Sequence, residues 1–168
     1  MKKTIALISL LAMALAVHGQ ISAVKPFLYR NSFQLELAGP AVFYSLNLER
    51  ILLNKTPFRT AVQAGISCYP PSTGIRDIWI PLGITEIYSM GNHHLEGGIG
   101  FMPVREAVRD ADNQATEWFW SHLATGRIGY RHQRPDGRLI IRAAFTPVYE
   151  LDGSELHPLG GLSIGTIF

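Results

Sequence analysis

The chain alternates apolar and polar residues with a period of two through eight separate stretches, and this pattern constrains its fold more than any other feature. Phe33, Leu35 and Leu37 alternate with Gln34 and Glu36. Val42, Tyr44, Leu46 and Leu48 alternate with Phe43, Ser45, Asn47 and Glu49. The pattern recurs with Thr60, Val62, Ala64 and Ile66, then with Ile78, Ile80, Leu82 and Ile84, then with Leu95, Gly97, Ile99 and Phe101. It continues with Ile128 and Tyr130 inside the longer stretch Trp118 to Gln133, with Leu139, Ile141, Ala143 and Phe145, and with Leu162, Ile164, Thr166 and Phe168. Successive side chains of a strand point to opposite faces, so each stretch reads as a two-faced strand. The 16 Gly and 10 Pro argue against a helical bundle.

The breaks between the stretches are rich in turn formers. Gly39-Pro40, Asn54-Lys55-Thr56-Pro57, Ser89-Met90-Gly91-Asn92 and Arg134-Pro135-Asp136-Gly137 make short connections. Tyr69–Asp77, Arg105–Glu117 and Glu150–His157 make long ones. From the second strand onward short and long alternate, as in a barrel with short turns at one end and long loops at the other. Gly39-Pro40 breaks this rule, being short where a long loop belongs.

Which face is apolar decides the kind of barrel. A soluble eight-stranded barrel is apolar inside, and a membrane barrel is inverted. Here one face is mainly aliphatic or aromatic. The other carries Glu36, Asn47, Glu49, Arg59, Gln63, Glu96, Arg127, Arg131 and Arg142 among glycines and alanines. Buried charges must pair, because an isolated buried ion costs several kcal/mol. Glu36, Glu49 and Glu96 balance Arg59, Arg127 and Arg142 three to three, so these six are expected to form a lumen charge cluster. Ala61, Gly98 and Gly129 are expected to leave room for the long arginines. Eight strands enclose only enough space for side chains, so the lumen is expected to be plugged.

The N-terminus carries a different signal. Lys2 and Lys3 precede an apolar run from Thr4 to Val17, followed by small residues. This reads as a secretory signal peptide, shorter than the roughly 20 residues a membrane helix needs. Cleavage is expected after Gly19 or after Ala16. The expected organisation is a signal peptide over 1–19, a lead-in segment over 20–30 and a barrel over 31–168. Removing Lys2 and Lys3 leaves 13 basic and 13 acidic side chains, which offers no electropositive face for nucleic acid. The lone Cys68 excludes an internal disulfide framework and a multi-cysteine metal site.

The stretches Phe33 to Gly39, Tyr44 to Arg50, Gly129-Tyr130-Arg131, Phe145-Thr146-Pro147 and Gly161 to Gly165 resemble the opening and closing strands of the small eight-stranded outer-membrane β-barrel proteins of Gram-negative bacteria. The resemblance spans roughly Asn31 to Phe168. It implies an all-β, eight-stranded antiparallel up-and-down transmembrane β-barrel, with outer-membrane lipid as its surroundings. The terminal Phe168 resembles the signal such proteins present to the barrel-assembly machinery. The expected role is structural, or binding of an unnamed ligand through the long loops. Two alternatives are a lipid-modifying enzyme in the same membrane and a periplasmic lipocalin-like carrier with the strand faces reversed.

No catalytic residues, cofactor or metal are expected. Ser121 and His122 are adjacent in a strand and so face opposite sides, which spoils them as a dyad. Ser45, Ser67 and Ser163 lie on the polar face without an identifiable base. His94 and Glu96 share a face beside His93, but a metal would need a third ligand from another strand. Tyr44, Trp79, Trp118, Trp120 and Tyr130 are expected to form interfacial aromatic girdles. Arg134 and Arg138 flank a turn and read as a solvated face.

Overall fold

The computed structural model describes residues 25–69, 77–109, 116–153 and 155–168. The expected signal peptide and its cleavage point lie outside these residues, as do parts of the long connections.

The period-two stretches are strands: β1 (Asn31–Ala38), β2 (Tyr44–Asn54), β3 (Phe58–Tyr69), β4 (Asp77–Trp79), β5 (Leu82–Met90), β6 (His93–Arg109), β7 (Thr116–Gln133), β8 (Leu139–Glu150) and β9 (Leu156–Ile167). β4 and β5 are two halves of one stave. They part at Ile80-Pro81, where proline has no N–H to give the ladder, and each half pairs with β3 and with β6. All pairings are antiparallel, and β1 pairs with both β2 and β9. The sheet therefore closes into an eight-stranded up-and-down barrel. The seam continues past the strands, where Asn31 and Phe168 exchange backbone hydrogen bonds of 3.1 and 2.8 Å.

Register places apolar residues side by side on the outer surface. Leu35 stands opposite Leu46 and Ile164, Leu46 opposite Ile66, and Ile164 opposite Ile141. Ile99 is 76% exposed and Ile128 72%. The interior carries Gln34, Glu36, Asn47, Glu49, Glu96, Arg131 and Arg142, all buried. A lipocalin-like carrier requires the opposite arrangement, so the inverted faces exclude that alternative.

One expectation about backbone is corrected. The stretch Arg105–Glu117 is not all loop, because β6 runs to Arg109 and β7 starts at Thr116, paired in unbroken register. Gly98 and Gly129 serve close strand approach. A Cβ at Gly98 would lie 2.5 Å from the Ile84 carbonyl oxygen, and one at Gly129 would lie 2.6 Å from the Ala144 Cβ. These glycines let neighbouring strands approach closely.

The short β1–β2 connection folds inward. Gly39–Ala41 forms a 3₁₀ turn whose three residues are all buried. Ala38 and Val42, on either side, hold positive φ of 57° and 61°, a region most L-residues avoid. The turn is pinned by hydrogen bonds from Ala38 N–H to the Phe43 carbonyl and from Val42 N–H to the Gly39 carbonyl. It packs Ala41 against Met102, Val104 and Val148, with Trp79, Leu123 and Leu159 around them. The connection that broke the alternation of loop lengths thus fills the barrel at its long-loop end.

The other end is filled by the lead-in. Phe27 enters the barrel and packs on Ile51, Ala61 and Ile87. The segment is tied down by backbone bonds from Leu28 N–H to the Pro135 carbonyl and from Ile51 N–H to the Arg30 carbonyl.

Candidate functional site

Between these two apolar layers lies an ionic core. Its charged residues come from five strands, each on the inward parity of its own stretch. Glu96 of β6 is central. Arg142 of β8 donates to it through Nε at 2.9 Å and holds it through Nη2 at 2.8 Å. Arg131 of β7 donates to its other oxygen at 3.1 Å, and Arg127 stands 3.7 Å away. Glu49 of β2 accepts from Arg131 at 2.6 Å and from Arg142 at 3.2 Å. Glu36 of β1 accepts from Arg127 at 2.6 Å and from the Asn47 amide at 3.3 Å. Gln34 and Gln63 accept from Arg142 at 2.9 and 3.2 Å. Three carboxylates thus meet three guanidiniums, and Gln34 and Gln63 accept further hydrogen bonds from Arg142. Such pairing is what lets buried ions persist in a low-dielectric interior.

Of the six residues expected to cluster, Glu36, Glu49, Glu96, Arg127 and Arg142 are brought together, and Arg59 is not. Arg59 donates instead to Asn54 Oδ1 at 2.9 Å and to the Lys25 carbonyl at 2.8 Å, with its Cζ 4.0 Å from the Phe27 ring centroid. It belongs to the lead-in latch, together with Asn54, whose amide donates to the Phe27 carbonyl at 2.9 Å. The sixth place is taken by Arg131, fully buried. Its parity with Arg127 marks it as inward, whereas its neighbours Arg134 and Arg138 suggest a solvated turn. The apolar layers also go unseen in the polar reading of the inner face. Their signal is the run of apolar residues at inward parity near strand ends: Ile51 beyond Glu49, and Met102 and Val104 beyond Gly98 and Gly100.

The aromatic residues divide. Tyr44, Trp118, Trp120 and Tyr130 are exposed on the outer surface. Arg105 lies over Trp118 at 4.0 Å, and Tyr130 bonds His93 Nδ1. Trp79 is a correction. It stands opposite Ser67 and Val104, both inward-facing, and packs on the layer around Ala41. It therefore takes no part in an outer girdle.

Catalytic and metal arrangements can be placed as well. His94 and Glu96 share the inner face, but His94 bonds the Gln133 carbonyl at 2.8 Å and Glu96 is engaged by arginines. Ser67 donates to the Tyr44 carbonyl, and Ser45 accepts from Asn47. Ser121 faces inward beside Glu106, while His122 is exposed and stacks on Phe101. At the rim, ligand atoms of Glu150, Glu155 and His157 lie within 4.8 Å of one another.

No family model and no curated protein matches the chain. Its fold has solved counterparts. The N-terminal β-barrel domain of Pseudomonas aeruginosa OprF superposes with a TM-score of 0.57 at 11% identity, covering 83% of this chain and 96% of that one. The Yersinia pestis outer membrane protein Ail, in a phospholipid bilayer nanodisc, superposes at 0.53 with 12% identity, covering 83% and 99%. Ail in complex with the heparin analogue sucrose octasulfate superposes at 0.50 with 11% identity, covering 82% and 92%. The chain shares the barrel fold of these outer-membrane proteins.

Proposed function

We propose that the chain is an integral outer-membrane β-barrel, exported by its N-terminal signal, with a lumen closed to solutes and a binding role at its long-loop end. One observation carries the reading: an outer surface of side-by-side aliphatic residues surrounds an interior of paired ions. Water would face a continuous apolar surface far beyond the few hundred Å² a soluble protein leaves exposed, whereas lipid matches it at no cost. Antiparallel closure supports the same reading, since a closed sheet presents no open edge to lipid. The outer-membrane proteins that share the fold add to it. The terminal Phe168, more than half exposed beside the seam, is proposed as the mark read by the barrel-assembly machinery.

Closure of the lumen rests on its three layers, the Ala41 turn, the ionic core and the Phe27 lead-in, which succeed one another along the barrel. Fractionation and gel mobility test location. The protein should require detergent for extraction and should migrate differently before and after boiling; extraction without detergent and an unchanged band would overturn the reading. Planar-bilayer recordings of the purified protein should show no stepwise conductance.

A further inference from the structure

Above the Ala41 layer the long-loop end opens into a cup of about 340 Å³, a size suited to a small molecule. Its floor is apolar, built from Leu123, Val148 and Leu159 with the Trp79 indole in the wall. The remaining wall carries Pro40, Val42 and two carboxylates. Glu106 of β6 and Glu150 at the end of β8 line it beside His157 and Ser121, and among the described residues that line the cup there is no Lys or Arg. Glu106 is crowded. The negative charges of Asp77 and Glu150 lie close to it, and Ser121 hydrogen-bonds it. Glu155 adds a further carboxylate near Glu150 and His157. Like charges gathered over an apolar floor complement a ligand that is cationic at one end and apolar at the other.

We propose that the cup binds a small amphiphilic organic cation, an aryl- or alkylammonium, with its ammonium between Glu106 and Glu150 and its apolar body over Leu123, Val148 and Leu159. The inference deepens the loop-end binding role proposed above and rests on it. The floor selects the ligand class. A bare divalent ion asks for oxygen and imidazole ligands and gains nothing from the leucine floor, which an apolar body would cover. The Trp79 ring adds a face of the kind that attracts ammonium groups.

The test titrates the folded full-length protein, in zwitterionic detergent, with benzylammonium chloride. Benzyl alcohol serves as the neutral isostere and zinc chloride as the metal probe. The readout is the Trp79 indole N–H resonance, assigned with Trp79→Phe. Benzylammonium should shift it saturably, with benzyl alcohol weaker by about tenfold or more, the loss of one charge-assisted contact. Glu106→Gln with Glu150→Gln should weaken benzylammonium to a similar degree. Asp136→Asn, at the opposite end, should leave the titration unchanged. Equal response to alcohol and ammonium would reduce the cup to a greasy surface, and saturation by zinc with none by ammonium would make it a metal site. Either outcome, or no saturable shift, overturns the proposal. Gel mobility of the same samples separates the two readings. A heat-modifiable barrel that does not bind overturns the cup alone, and a sample without the mobility shift overturns the membrane barrel first.

Discussion

Glu96 concentrates the interior's electrostatics in one side chain. It meets three guanidiniums, and two of them, Arg131 and Arg142, are shared with Glu49. Removing its charge while keeping its shape leaves three buried cations facing two anions. Glu96→Gln is therefore expected to cost about 3–5 kcal/mol, the range for breaking a buried pair from one side. Thermal unfolding in detergent measures it, and an unaltered midpoint would refute the pairing. Ala38 makes the opposite case. It is exposed yet holds φ of 57°, so its methyl adds strain with little burial in return. Ala38→Gly should raise stability by about 1 kcal/mol through relief of that strain, read in the same assay. Neither residue stands out in the sequence by type alone. Glu96 is legible by parity, because it shares a face with His94 and Gly98. The strain at Ala38 is not, since it arises only once the turn folds inward.

At the scale of elements, two short non-strand segments differ from their appearance in the sequence. Gly39-Pro40 reads as a short turn and residues 20–30 as a lead-in, but the Gly39–Ala41 turn and the described part of the lead-in both end inside the barrel. Each does so by presenting one small or aromatic apolar group to a ring of inward-facing aliphatics. The lead-in is held at Phe27, whose backbone is clasped by Asn54 and whose ring lies under Arg59. Phe27→Ala should cost about 3 kcal/mol or more, as buried aromatic truncations do, and should release the segment. Limited proteolysis of the folded protein checks this: cleavage near Lys25 and Arg30 should accelerate in the variant while the barrel band survives. Protection equal to the parent's would show that the backbone ties alone hold the segment. Arg59 illustrates why the sequence misleads here. By type and parity it matches Arg127 and Arg142, but its position one residue into β3 puts it beside the lead-in rather than the carboxylates.

For the whole molecule, the outer surface is the test. Ile141 stands opposite Ile164, which adjoins Leu35 and through it Leu46, well inside the aliphatic surface. Ile141→Arg should destabilise the folded barrel in lipid by about 2–4 kcal/mol if it sits near the midplane. Denaturant unfolding in vesicles measures the change, and a parental midpoint would contradict the lipid-facing assignment. Strand number and the sense of the faces were legible from period-two alternation, since parity is a local property that every strand carries along its own length, whereas closure was implied only by the resemblance to small barrels. Strand ends were less legible. The β6–β7 hairpin extends beyond its expected limits because cross-strand pairing outlasts the apolar alternation.

What the sequence by itself determined was therefore the list of strands, the face each residue takes, and the presence of balanced acids and bases on the inner face. These follow from side-chain alternation and need no knowledge of neighbours. Only the tertiary structure decided which base meets which acid, so that Arg131 rather than Arg59 joins the core, and that Trp79 turns inward. It also decided that two short segments fill the ends of the lumen and leave an acidic cup above one of them. The physical reason is register. A strand's parity is written in its own residues, but the height at which it meets its partners depends on closing the barrel. That height alone sets which charged and apolar side chains come within reach of one another.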